Sequence, residues 1–195
     1  MNGRDAGLAW FRRWIFSSYE ADAHSLALCR IFYALFMLLF ALPDFRWIAG
    51  LPPSFFLPPP GPMQLLPALP PAWFFGALQA GVIVALTALL IGFGTRTASL
   101  LSGALLFVGS GFYFSFGKIN HNILVLVLPV VMAASNWGSA FSYDALRARA
   151  PQRLASWPLT FMGTLVGFAM FTAGYAKARR RLCGGVGHLR GHGIP

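Results

Sequence analysis

The chain has little charge and almost no cysteine. Only 10% of its 195 residues are charged and 57% are hydrophobic, where an ordinary soluble domain carries roughly 25% charge, so a water-soluble globule is excluded. Two cysteines, Cys29 inside an apolar run and Cys183 near the end, suggest neither a disulfide framework nor a metal site. The net charge of +10 has no dense basic face behind it. Its basic residues stand at the ends of apolar segments, as membrane-flanking charges do, which argues against a nucleic-acid partner. The longest stretches without charge are the most informative: none from Thr97 to Gly117, and none from Ile119 to Tyr143 apart from a protonated His121.

Runs of about 20 apolar residues, at ~1.5 Å rise each, match the ~30 Å hydrocarbon core of a bilayer. Such runs occupy residues 21–43, 72–93, 97–116, 118–137 and 157–175. The expected fold is all-α, a polytopic transmembrane helical bundle of about five spans. Before the first run, Leu8, Phe11 and Ile15 recur at helical spacing beside Trp10, Trp14, Arg12 and Arg13. That pattern reads as an amphipathic helix lying in the interface, or equally as the charged flank of a signal anchor. The organisation is then an interfacial segment at 1–20, a membrane domain at 21–177 and a basic, glycine-rich tail at 178–195.

The connections differ in kind. Residues 44–71 are rich in proline, including Pro58-Pro59-Pro60, and cannot be helical throughout; such a loop is a spacer or the cap of a cavity. Gly92-Phe93-Gly94-Thr95-Arg96 makes a tight turn between the second and third runs, and Ser156 before Trp157-Pro158 reads as a helix N-cap followed by a first-turn proline. With the N-terminus inside, Arg4, Arg12, Arg13, Arg96, Arg147, Arg149 and Arg153 fall inside, and Arg46 and Lys118 outside. This satisfies the positive-inside rule and implies a multi-pass protein with a cytoplasmic N-terminus. The same topology sends Lys177, Arg179, Arg180, Arg181 and Arg190 outside, against the rule. That conflict, with the abrupt composition of the tail, reads as a truncated or frame-shifted end.

The topology gathers polar residues on the outer face. If the fourth helix starts at Lys118, then Lys118, His121 and Asn122 stand at i, i+3 and i+4 and project on one side. An amine beside low-dielectric surroundings and a second cation loses its proton more readily and can serve as a base. The structural alternative, that Lys118 and Lys177 snorkel to the interface while Asn120 and His121 satisfy the turn, is the favoured one on the residues alone. Phe112, Tyr113, Phe114 and Phe116 either wall a pocket there or belong to an interfacial aromatic belt. Arg30, inside the first span, costs about 2.5–3.5 kcal/mol to insert at mid-bilayer. Asp144 is its expected partner in a structural ion pair. Gln79 reads as an interhelical hydrogen bond, Gly163, Gly167 and Gly174 as a close-packing face, and Pro129 as a kink that frees a carbonyl.

Several pieces together resemble the membrane domain of the vitamin K-dependent gamma-carboxylase family, also called the HTTM (horizontally transferred transmembrane) domain. They are Ser25-Leu26-Ala27-Leu28-Cys29-Arg30, Gly92-Phe93-Gly94-Thr95-Arg96, Asn120-His121, Ser142-Tyr143-Asp144-Ala145-Leu146 and Phe171-Thr172-Ala173-Gly174-Tyr175-Ala176-Lys177, in family order. The resemblance implies an outer-face pocket for a quinone or another lipid, with no metal. It also implies a lysine that deprotonates reduced vitamin K, of which Lys118 is the nearest counterpart, the family position falling nearer Ser115. His121 and Asn122 would support that base, and Tyr113, Phe116 and Lys177 would contact the quinone. The chain lacks the large lumenal portion with which the carboxylase engages its protein substrate. The two expectations are a non-catalytic HTTM-like membrane module serving a protein partner that the sequence does not name, and a quinol-using enzyme of the carboxylase or epoxidase kind. A transporter is a weaker third, because no inverted repeat is evident.

Overall fold

A computed structural model describes residues 3–17, 22–58, 62–66, 68–116, 123–148 and 154–187. Among these the protein is all-helical: α1 (Gly3–Ser17), α2 (Ala23–Leu39), α3 (Ala72–Ile91), α4 (Thr95–Phe114), α5 (Ile123–Met132), α6 (Tyr143–Arg147) and α7 (Trp157–Gly187), with 3-10 turns between α2 and α3. The helices α3, α4 and the segment Trp157–Tyr175 of α7 are long and apolar enough to cross a membrane; α2 and α5 are apolar but shorter.

Each helix begins and ends for a local reason. Asp22 caps α2 by accepting from the His24 and Ser25 amides, both at 3.2 Å. Gly92, left-handed at φ 78°, closes α3, and the Gly92 and Phe93 amides both donate to Ala88 O at 2.9 Å. α7 starts at Trp157 with Pro158 in its first turn, as the sequence suggests, and runs on past Tyr175 to Gly187 without a break at the start of the basic tail. α5 stops at Met132, short of the expected 137. Its end tightens into i→i−3 bonds, Ala134 to Val131 O and Ser135 to Met132 O, and Asn136 then turns left-handed at φ 57°.

Packing is decided by one stripe on each helix. α2 buries Leu26, Ala27, Arg30, Tyr33, Ala34 and Met37, and α3 buries Phe75, Leu78, Gln79, Val82, Ala85, Leu86 and Leu89. α3 packs on both α2 and α4, α5 packs on α4 and meets α2 where Tyr33 bonds Val125 O, and α7 touches both α5 and α1. The outward faces are apolar too: Leu28 and Phe32 on α2, Val84 on α3, Leu101 and Phe107 on α4, Phe168 and Phe171 on α7 are all exposed. An apolar coat over an apolar core is what a bundle in lipid requires and what water would penalise. A Cβ on Gly163, Gly167 or Gly174 of α7 would find nothing within 4 Å, so no described residue packs on the expected face.

Pro129 does free a carbonyl. It has no amide to donate to Val125 O, one turn back, and the Tyr33 hydroxyl supplies the missing donor at 3.1 Å. Ser99 Oγ donates to Pro129 O at 2.6 Å, tying α4 to the same turn. Tyr33→Phe is expected to cost about 1–2 kcal/mol, because it leaves that carbonyl without its donor. In a double-mutant cycle of detergent-solubilised protein, Pro129→Ala restores the amide and should shrink the cost of Tyr33→Phe. An undiminished cost would mean that Tyr33 matters only for packing.

Candidate functional site

The two ends of the bundle are built differently. At the end where α3 turns into α4, three of the resembling pieces meet. Arg30 is fully buried, and its Nη2 donates to Phe141 O at 2.6 Å. Asp144 accepts from the Gly94 amide at 2.9 Å, the Thr95 amide at 2.6 Å and Thr95 Oγ1 at 2.7 Å, while its own amide donates to Gly92 O at 3.1 Å. Asp144 therefore caps α4 from a distant part of the chain. Burial works to raise its pKa, but the Thr95 and Gly94 bonds and the nearby positive charge of Arg30 outweigh it, and the carboxyl titrates below its ordinary value. The expected Arg30–Asp144 ion pair is thus replaced by an indirect arrangement: the carboxylate oxygens are taken by the α4 terminus, and the guanidinium reaches a backbone carbonyl instead. A small cavity of about 270 Å³ beside it is lined in part by Thr95, Arg96, Trp137 and Asp144. This end reads as a latch: the Asp144 carboxylate and Arg30 Nη2 are spent on the fold, while Arg30 Nε and Nη1 and Trp137 Nε1 are buried without a hydrogen-bond partner among the described residues.

The opposite end opens into a cavity of about 830 Å³, within the range of roughly 300–1,000 Å³ typical of small-molecule sites. Its wall is set by how the chain leaves α2. The Phe45 amide donates to Gln79 Oε1 at 3.0 Å, and the Phe45 ring lies directly on Gly109 of α4, where a Cβ would be 2.2 Å from Cζ. Gln79 therefore bonds a loop backbone, not another helix. Held there, the following turn presents Trp47, whose ring meets Tyr113 edge-on at 5.8 Å and Phe116 at 6.2 Å. α2 contributes Phe36, Met37 and its C-terminal cap Phe40, α4 contributes Ser110, Tyr113 and Phe114, and α5 contributes Val125 and Leu126. Asp44 stands in the wall and uses Oδ1 to accept the Arg46 amide at 2.9 Å. The proline-rich loop folds back on α4, with Phe56 stacked on Phe112 at 6.1 Å, so it is more than a spacer.

No protein-family model, no curated protein and no solved structure matches the chain. The chemistry of the cavity is read from its own walls.

Of the residues singled out in the sequence, Tyr113 and Phe116 line the cavity together with Phe114. Phe112 does not: it is buried against Phe75 at 5.3 Å and belongs to the core. Lys118, His121 and Asn122 lie outside the described residues, but the residues on either side of that stretch, Phe116 and Val125, are both in the wall. Lys177 is exposed on α7 and is not among the described lining residues. Arg30 and Asp144 sit at the other end, in the latch. Sequence reasoning missed Ser110, Asp44, Trp47, Phe36 and Phe40. For Ser110 a signal existed, since it precedes Tyr113 by one helical turn and shares its face; for the others, only the Gln79 tether brings the loop to α4.

Proposed function

We propose that the chain is a multi-pass integral membrane protein of the HTTM kind, with five spans and a cytoplasmic N-terminus, whose outer-face cavity receives an amphiphile from the bilayer. The apolar cavity of about 830 Å³ with hydroxyls from Ser110 and Tyr113 in its wall is the observation that carries this reading. In the five-span arrangement α2 and α5 are the two further crossings, α2 with the residues flanking its 17 and α5 with the stretch that precedes Ile123. The N-terminal helix supports an interfacial role, with Leu8, Trp10, Phe11 and Trp14 all exposed and the two indoles stacked at 6.4 Å. A quinone fits the walls: a flat apolar ring against Trp47, Phe36 and Phe40, with oxygens toward the two hydroxyls. The test is native mass spectrometry of the purified chain with a short-chain naphthoquinone. Retention of the quinone, lost when Trp47 and Phe40 are replaced by alanine, supports the site; equal retention in both proteins rejects it.

The second reading, a quinol-using enzyme with Lys118 as base, draws on the two wall residues Phe116 and Val125 that flank the stretch holding Lys118, His121 and Asn122. Lys118→Ala is expected to abolish quinol-dependent epoxidation in membranes while leaving quinone retention in place. Unchanged activity in the variant, or none in the native chain, removes the enzyme and leaves the module.

A further inference from the structure

We infer that Ser110 anchors the ligand of the outer cavity by an oxygen, which makes that ligand an uncharged amphiphile with a hydroxyl or carbonyl head. This rests on the reading of the cavity as an amphiphile site. Ser110 is only 8% exposed and faces the cavity from α4. Other hydroxyls bond a backbone carbonyl one turn back, Thr87 to Ile83 O at 2.8 Å, Thr164 to Thr160 O at 2.8 Å and, at the end of α4, Ser115 to Gly111 O at 3.0 Å, whereas Thr160 of α7, away from the cavity, is buried with its hydroxyl unpaired among the described residues. Ser102 and Ser99, on the same helix as Ser110, are bonded as well. Among the described residues no hydrogen bond engages the Ser110 hydroxyl.

A hydroxyl that stands in the cavity wall and bonds no described group of the protein is free to bond a ligand oxygen. Tyr113, one turn further along the same face and 46% exposed, stands where a second oxygen of the head would emerge. The charged group in the described wall is the Asp44 carboxylate, which sets a like charge against an anionic head. The apolar body of the ligand then lies against Phe36, Phe40 and Trp47.

The experiment uses the full chain in lipid nanodiscs and three photoreactive diazirine probes of equal chain length: a fatty alcohol, the corresponding alkane and the corresponding fatty acid. Labelling of peptides that carry Phe36 to Trp47 and Ser110 to Phe116 is measured by mass spectrometry, relative to labelling of Phe168 and Phe171 on the lipid-facing side of α7. The alcohol should label the cavity at about tenfold lower concentration than the alkane, the equivalent of one net hydrogen bond. In Ser110→Ala, and in Ser110→Cys as a variant of closer volume, that advantage should fall to within about twofold, while Ser102→Ala, already bonded within its helix, keeps it. An advantage that persists in both Ser110 variants, or alcohol and alkane labelling alike in the native chain, overturns the anchor and leaves the cavity standing. Preferential labelling by the acid overturns the uncharged class. No cavity labelling above the α7 level by any probe overturns the cavity reading itself, and the anchor with it.

Discussion

Asp144→Ala is expected to lower the stability of the bundle by about 2–4 kcal/mol. The carboxylate holds three groups of the α4 terminus at 2.6–2.9 Å, and Thr95, which donates two of these bonds, is itself buried. Without the acceptor, the Gly94 and Thr95 amides lose their partner, and Arg30 loses the charge nearest to it. Asp144→Asn keeps the shape and one acceptor oxygen, so its loss should be about half as large. The pH dependence follows from the depressed pKa. A carboxyl whose folded pKa lies below its unfolded value contributes stability that is complete above the unfolded value and disappears as pH falls through the folded one. Thermal unfolding in detergent at several pH values should therefore show the native chain losing stability below about pH 4, with Asp144→Ala lacking that component. Hydrogen exchange at the Gly94 and Thr95 amides should accelerate in the variant. If unfolding temperature and exchange are both unchanged, Asp144 is not the cap of α4.

Gly92→Ala is expected to be at least as damaging, about 2–5 kcal/mol, by a different route. Its φ of 78° costs an L-residue about 1–2 kcal/mol. The new Cβ would also lie 2.0 Å from Arg30 Nη1, 2.3 Å from Ser142 Cβ and 2.8 Å from Ser142 Cα. The guanidinium can swing aside, but the Ser142 backbone cannot, because Ser142 caps α6 by accepting the Ala145 amide at 2.9 Å and donates to Gly138 O. Forced repacking of this kind adds about 1–3 kcal/mol. Gly163→Ala is the matching control. It lies within α7 with no described neighbour inside 4 Å of an added Cβ, so alanine should leave stability unchanged or raise it by up to about 1 kcal/mol. Similar losses in the two variants would mean that glycine at 92 is required for flexibility and not for close approach.

These two residues also mark how far the linear pattern could be read. The Gly92-Phe93-Gly94 turn was legible because positive φ is a property of the residue itself, and both glycines adopt it. That Arg30 needed a partner was legible from the cost of its insertion; that the partner is a carbonyl at Phe141 was not, because nothing along the chain says Asp144 is already occupied by α4. Pro129 was legible as the release of a carbonyl, whereas the donor that answers it, Tyr33, lies on another helix. Tyr113 and Phe116 emerged from the aromatic cluster at the end of α4, but the same cluster misled at Phe112, which helix rotation turns into the core.

By itself the sequence determined that the regular structure of the described residues is helical, that some of these helices are long and apolar enough to cross a membrane, and that α3 and α4 are separated by a glycine turn. Each of these follows from transfer free energy and backbone preference, which act residue by residue and add along a segment. Only the tertiary structure decided that Arg30, Gly92 and Asp144 form one latch and that Ser110, Trp47 and Phe36 share a cavity at the other end. Such meetings depend on how helices rotate and cross and on where a loop is pinned, as Gln79 pins Phe45, and these are set by packing between segments far apart in the chain.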